Sequence, residues 1–330
     1  MIKALRAALY DYDPATVRAA LIAAAPNAVF HLAFPFETME GPEAYFDTAL
    51  TALHTALPDL ERREQIVVQG ADDDGAAWIG MGGFYTGTFR SPFLDIPPTG
   101  HLVHMRFHEF FRIEDGKIVE MQALWDIPEV MMQAGAWPMS PSLGREWHIP
   151  GPATGDGLGP HDPSLTAFAR QHVIDMLLTM KKHPSEGGPE KMELERFWHP
   201  RMNWYGPAGI GTGRGIEGFR NWHQIPFLNA MPDRGTYPTE STFHFMAEGN
   251  YVGVTGWPDM VQTISHAGWL GLPPVGKKIT MRSLDFWRIE NGLIRENWVL
   301  VDLLHMYDQI GIDVFARIRE FNKARQGTMT

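Results

Sequence analysis

The sequence predicts one α+β fold used twice, as two tandem cone-shaped barrels, each a curved antiparallel sheet wrapped on N-terminal helices. Three observations carry this. Residues 96–135 align without gaps on 272–311 at an offset of 176, with 16 of 40 positions identical, and fixed-period self-similarity is the signature of a repeated unit. Upstream the register continues at an offset of 174, matching Pro26 to Pro200, Gly41 to Gly215, Glu43 to Glu217 and Pro58-Asp59 to Pro232-Asp233. Within each copy helices come first and strands afterwards, which is an α+β order rather than an alternating parallel one. Finally, Asp115-Gly116 and Asn291-Gly292 separate the last two apolar runs, and Asx-Gly in that setting is a strong hairpin signal.

Taken in order, the first copy (1–137) opens with a helix over 2–10 and a second started by Asp13-Pro14, an N-cap followed by proline at the first helical position. A strand-like piece covers 28–34, and a helix carries Tyr45, Phe46 and Leu50. Strands follow at 65–68, 76–85, 102–113 and 118–125. Residues 138–162 are rich in Pro and Gly without periodicity and read as a linker or extended arm, with Trp147 and Ile149 suited to packing on a neighbour. The second copy (163–330) repeats the order. After Asp162-Pro163, residues Leu165, Phe168, Val173, Met176, Leu177 and Met180 recur at helical spacing. A short amphipathic helix over 191–198, a strand over 202–205 and a helix with Phe219 and Trp222 come next, then the counterpart strands. Helices against a strongly curved sheet leave an interior cavity for a small apolar ligand.

Composition narrows the function. The chain of 330 residues has 28 Lys+Arg against 39 Asp+Glu, a net charge of −11. That balance disfavours nucleic acid and anionic membrane surfaces as partners. There is no cysteine, so thiol chemistry, disulfides and thiolate metal sites are excluded. The N-terminal segment lacks the apolar core of a signal peptide, and no run approaches a membrane span; a soluble, cytoplasmic protein is expected. His104 and His108 lie about 13 Å apart if on one strand, too far to share an ion, so no metal is expected. The glycines of 209–215 lack phosphate-loop spacing and read as a lid or loop.

The IPPTG and LPPVG turns, a strand ending in FRI or WRI, the D/N-G hairpin, and the IVE…D and QAG segments together resemble the SnoaL-like polyketide cyclase family of the nuclear transport factor 2 superfamily. The resemblance covers about 100 residues of each copy. It implies a hydrophobic pocket in which an ionisable side chain moves protons on a ketide-like, keto or enol substrate without a cofactor. Two fused copies imply an intramolecular version of a homodimer with the outer sheet faces meeting, and a further homodimer is possible on the same grounds.

By this resemblance Glu109 and Asp285 occupy the pocket-facing position of the penultimate strand. Met105, Phe107 and Phe111 then share one pocket, and Met281, Ser283 and Trp287 the other, because successive strand residues face opposite sides. The last-strand aspartate of the family aligns with Ala123 and Val299, while Asp126 and Asp302 have the opposite parity and read as helix caps. His266, aligned with Tyr85, and His223, aligned with Ala49, are the candidate partners of Asp285 in acid–base chemistry. Trp204, Tyr205, Asn297 and Trp257 are expected to line the same pocket, with Tyr205 or Asn297 binding a developing oxyanion. Glu109, His31 and Trp125 are the candidates in the first copy, whose pocket is expected to be degraded. The leading expectation is a cofactor-independent cyclase, isomerase, dehydratase or hydrolase acting on a keto, enol or ester substrate in the second cone. A non-catalytic small-molecule binder and an assembly module remain the alternatives.

Overall fold

The alternation of apolar and polar residues that marks the strands also decides which side of each sheet closes a cone. The computed structural model describes residues 2–327. In the first copy, helices α1 (Ile2–Tyr10) and α2 (Pro14–Ala24) precede strands β1 (Val29–Leu32) and β2 (Glu37–Glu40). Asp13 caps α2 by accepting from the Thr16 amide at 2.9 Å, and α2 turns Val17, Leu21 and Ala24 inward. Helix α3 (Gly41–Tyr45) continues through a π-helical turn at Phe46–Leu50 into α4 (Thr51–Ala56). Strands β3 (Glu61–Ala71), β4 (Ala77–Thr88), β5 (Leu102–Glu114) and β6 (Lys117–Trp125) and helix α5 (Ile127–Gln133) complete the copy. The sheet order is β2-β1-β6-β5-β4-β3. Only β1 and β6 pair in parallel; the other pairs are antiparallel.

The second copy repeats this with one difference. After α6 (Thr166–Met180) and α7 (Leu194–Phe197) come β7 (Trp198–Tyr205), β8 (Thr212–Arg214), α8 (Gly215–Phe219), a π-helical turn at Arg220–Gln224 and α9 (Ile225–Ala230). Strands β9 (His244–Glu248), β10 (Tyr251–Thr255), β11 (Met260–Ile264), β12 (Lys277–Met281), β13 (Ser283–Glu290) and β14 (Leu293–Val301) follow, then α10 (Leu303–Gln309) and α11 (Val314–Gly327). The sheet order β8-β7-β14-β13-β10-β9 mirrors the first. The long strands β4 and β5, however, are each replaced by two short ones, with β11 and β12 pairing separately. In β4 four residues separate Met81, opposite Glu109, from Tyr85, opposite Met105. In the second copy six separate Val254, opposite Asp285, from Met260, opposite Met281. The Gly256–Asp259 segment therefore carries two extra residues, and it splits the sheet beside Asp285.

The outer sheet faces pack on each other through a cluster that includes Ile66, Val68, Phe110, Met246, Leu284, Phe286 and Trp298. Equivalent residues meet at its centre: Phe110 stacks on Phe286 with ring centroids 4.9 Å apart. Gly80 gives Phe110 its room, since a Cβ there would lie 2.6 Å from that ring. Two arginine–aspartate pairs flank the stack. Arg106 lies 3.3 Å from Asp126 and donates to the Tyr205, Gly206 and Val299 carbonyls. Its counterpart Arg282 reaches Asp302 at 3.3 Å and Glu37 at 2.7 Å. Each aspartate also accepts a backbone amide of the other copy, Asp126 from Ala208 and Asp302 from Phe34, both at 3.0 Å. Burial raises Asp126 to about 7 and Asp302 to about 6 against the pull of their arginines.

The capping expectation is corrected for Asp126. It occupies the N-cap position of α5 but makes no side-chain cap bond, because its carboxylate is committed to Arg106 and Ala208. Asp302 does cap α10, accepting from the His305 amide. The 138–162 arm crosses both copies: Arg145 pairs with Thr212, the Trp298 indole donates to the Pro150 carbonyl at 2.9 Å, and Gly157 accepts from the Val67 amide. Ile149 is buried in the inter-sheet cluster, whereas Trp147 is half-exposed.

Phe286→Ala removes one half of the central stack and should cost about 3–5 kcal/mol. Urea denaturation read by tryptophan fluorescence checks this. A loss below about 1 kcal/mol would show that the stack does not join the sheets.

Candidate functional site in the second cone

The two cones share a backbone plan and differ in what fills them. In the first, β5 turns Met105, Phe107, Glu109 and Phe111 inward. Glu109 is 1 % exposed and its carboxylate is fully engaged. It accepts from Arg62 at 2.8 Å, the Tyr85 hydroxyl at 2.9 Å and the Trp125 indole at 3.1 Å. Arg62 lies under the Phe107 ring, and Phe30 stacks on Tyr45. Glu109 and Trp125 are therefore core. His31, expected in this pocket, faces outward instead, against Thr38 and the Trp257 ring. It follows Phe30 on β1, and neighbouring strand residues point to opposite faces.

The same parity on β13 points Ser283, Asp285 and Trp287 into the second cone, where they line a cavity of about 200 Å³. Trp204, His223, Phe227, Trp269, Asn297 and Val299 are among its other walls. The closing groups of the first cone have no counterpart here. Met260 stands where Tyr85 would be by register, and the two-residue insertion ends the strand neighbour that carries Arg62. The insertion supplies a carboxylate of its own. Asp259 accepts from the Ser283 amide at 2.7 Å, while the Ser283 hydroxyl donates to Asp285 at 2.9 Å. One serine thus bridges two buried carboxyl groups.

Burial raises Asp285 to about 7, against the opposing pull of the Ser283 hydrogen bond and of Arg234. Burial, then the neighbouring Asp285, raises Asp259 well above the ordinary carboxylate range. Two acids in one apolar site whose values are both pushed up form an arrangement suited to proton transfer. His223 sits in the π-helical turn and stacks on Trp204, ring centroids 4.0 Å apart. Burial lowers it to about 3, with Arg234 adding to the effect, so it is a neutral imidazole near neutrality, and its Nδ1 has no hydrogen-bond partner. The Trp269 and Trp287 indole nitrogens are likewise unpartnered. π-helical turns recur at functional sites, and this one aims a side chain into the cavity where the first copy has Ala49.

Three expected site residues lie elsewhere. His266 is exposed on the turn after β11 and bonds the Ser265 hydroxyl; the register equivalent of Tyr85 is Met260, six residues earlier. Tyr205 faces the inter-sheet cluster and donates to Glu296 at 3.1 Å, since Trp204 takes the inward parity. Trp257 lies between Arg282 and His31 at the junction of the copies. Asn297 does line the cavity, but its amide nitrogen donates to the Phe286 carbonyl at 3.0 Å. Asp259, Arg234 and Lys181 were not singled out from sequence. The D-x-x-x-x-x-x-x-x-x spacing of 259 to strand neighbours carries no motif; only the pairing register, which reveals the insertion, would have marked Asp259. Among the described residues no group of three or more His, Cys, Asp or Glu side chains is arranged to hold a metal, and no helix is long and apolar enough to cross a membrane.

Two stability measurements follow. Glu109→Gln removes one of the two carboxylates that hold Arg62, leaving Glu64, and should cost about 1–3 kcal/mol in chemical denaturation. In the second cone the sign reverses. The folded-state value of Asp285 lies above its unfolded value near 4, so its ionisation penalty is absent below pH 4, grows as pH rises, and is complete above about 7. Asp285→Asn should therefore stabilise the chain by about 2–4 kcal/mol at pH 8 and by little at pH 4. Equal effects at both pH values would contradict the burial of an ionisable Asp285.

The SnoaL-like polyketide cyclase family model matches residues 3–134 and 189–310. Among solved structures, the chain is similar to IdmH from Streptomyces antibioticus, a candidate polyketide cyclase, at 27 % identity over 41 % of this chain and 95 % of that one, with a TM-score of 0.34. It is similar to TsrD from Streptomyces laurentii at 24 % identity, over 43 % and 96 % of the two chains, TM-score 0.35. It is also similar to AclR, a candidate hydroxylase from Streptomyces galilaeus, at 22 % identity over 42 % and 82 %, TM-score 0.34. No curated protein matches the chain. The two matched segments account for most of the sequence and coincide with the two six-stranded sheets, and the chain belongs to the SnoaL-like polyketide cyclase family as a tandem pair of α+β domains.

Proposed function

We propose that the second cone is a cofactor-independent acid–base site of polyketide-cyclase type, acting on a small, largely apolar keto, enol or ester compound. The observation that supports it is the Asp285–Ser283–Asp259 bridge in an otherwise aromatic cavity. Asp285, ionised above about pH 7, removes a proton from a carbon next to a carbonyl. The enolate oxygen that forms is met by the protonated Asp259 carboxyl and by the unpartnered Trp287 indole N–H. Return of the proton to another carbon gives isomerisation; attack of the enolate carbon on a second carbonyl gives ring closure. His223 serves as a neutral wall and hydrogen-bonding group rather than as an imidazolium acid. The first cone, with Glu109 held by three donors, acts as a structural partner, and the fused copies take the place of a homodimer.

One observation favours a second reading, that of a binder without turnover. The position of the family's last-strand aspartate is Val299, an inert wall of the cavity. In this reading Asp259 and Asp285 anchor a ligand and exchange no carbon-bound proton.

Deuterium exchange into the methyl group of aryl ketones such as 2-acetylnaphthalene, followed by NMR, separates the two. The wild type should accelerate exchange with a rate rising through an apparent pKa of about 7, a value belonging to the carboxyl pair. Asp285→Asn should lower the rate by about 10²–10⁴, whereas Asp259→Asn, which keeps a neutral hydrogen-bonding group facing the enolate oxygen, should leave the midpoint near pH 7 and lower the rate by less than the Asp285 variant does. Exchange no faster than buffer, with the ketone bound, supports the binder.

A further inference from the structure

Two cationic side chains line the cavity without an ion-pair partner among the described residues. Arg234, on the turn after α9, and Lys181, at the C-terminal end of α6, both line it. Among the described residues neither side chain has a hydrogen bond or an acidic partner within ion-pair distance. Arg234 lies over the Phe227 ring at 5.7 Å, and Lys181 over Phe243 at 5.6 Å. The two cations are close enough to disfavour each other's charge: Lys181 is lowered by burial and then by Arg234. Burial lowers Arg234, while Asp259 and Asp285 pull it back up. The buried arginines of this chain, Arg62, Arg106, Arg282 and Arg288, each pair with a carboxylate. Two adjacent buried or half-buried cations without one are the arrangement of an anion site.

The other ionisable groups facing the cavity do not cancel this charge. Burial pushes Asp259 well above the ordinary carboxylate range and Asp285 up to about 7, and it lowers His223 to about 3. We propose that the ligand of the second cone is an organic acid: its carboxylate sits between Arg234 and Lys181, and its ring system lies among Trp204, Trp269 and Trp287. This rests on the acid–base reading only for where the reacting carbon lies, near Asp285. It narrows the substrate class to aromatic or polycyclic keto compounds that carry a free carboxylate, bound in preference to their esters. Arg234 offers the planar fork that fits a carboxylate, and Lys181 adds a point charge.

Four cavity tryptophans, Trp198, Trp204, Trp269 and Trp287, make intrinsic fluorescence a direct readout, with 2-naphthoate and methyl 2-naphthoate as matched probes. The wild type should bind the acid at least about tenfold more tightly than the ester. Arg234→Gln and Lys181→Gln should each weaken the acid about three- to tenfold and leave the ester within about twofold. The double variant should abolish the preference, and Arg234→Lys should retain part of it. Lys181 is half-exposed, so its variant keeps the test sound should Arg234→Gln fold poorly. The proposal is overturned if the ester binds as tightly as the acid, if the variants weaken both probes equally, or if neither probe binds at millimolar concentration. Asp285→Asn separates this inference from the preceding one, because it should abolish proton exchange while preserving the preference for the acid.

Discussion

Everything in this protein depends on two sheets meeting across one apolar face. That contact fixes the outward parity of β5 and β13, with Phe110 stacked on Phe286 and with Arg106 and Arg282 reaching across to backbone carbonyls or carboxylates of the opposite copy. Once the outward residues are committed, strand alternation leaves no choice for the inward ones. Glu109 and Asp285 are driven into the cones. Buried carboxylates without partners are costly, so each cone must answer that cost, and the two copies answer it differently.

The first surrounds its carboxylate with Arg62, Tyr85 and Trp125. Every oxygen is satisfied and the group becomes part of the core. The second has a two-residue insertion where those partners would stand. The sheet splits, the guanidinium and phenol are missing, and the carboxylate is left with a serine hydroxyl and a second carboxylate nearby. An under-satisfied polar group in an apolar cavity is unfavourable for folding and useful for chemistry. The difference between a fully engaged carboxylate and an under-satisfied one thus goes with a change in local strand length. Bulges and breaks of this kind beside sites are a recurrent way to redirect side chains.

Much of this was legible in the sequence, for physical reasons that also explain the failures. The repeat, the helix-then-strand order and the Asx-Gly hairpins report local periodicity and turn chemistry, and the fold followed from them. Glu109 and Asp285 were found because period-2 alternation is rigid once one member of a strand is placed. Tyr205 and His31 were misplaced by reading adjacent residues as sharing a face, which that same alternation forbids. His266 was misplaced because its match to Tyr85 rested on a turn pattern, whereas the strand pairing puts Met260 at that register. Asp126 offered a capping pattern, yet a buried guanidinium competes better for a carboxylate than a helix end does. Asp259, Arg234 and Lys181 come from three separate segments, and only the folded chain brings them to one wall.

The arm between the copies has a consequence for what counts as a unit in this molecule. Gly144 donates to the Ile210 carbonyl, Arg145 pairs with Thr212, and Glu146 accepts from the Gly209 amide at 3.0 Å. Ile210 is a wall of the cavity. The glycine-rich loop that closes one side of the second cone is thus held by a segment outside both repeats. The outer face of the same cone is sealed by the sheet of the other copy. The cavity belongs to the whole polypeptide. A fragment cut at the repeat boundary would carry every lining residue and still lack the frame that holds them.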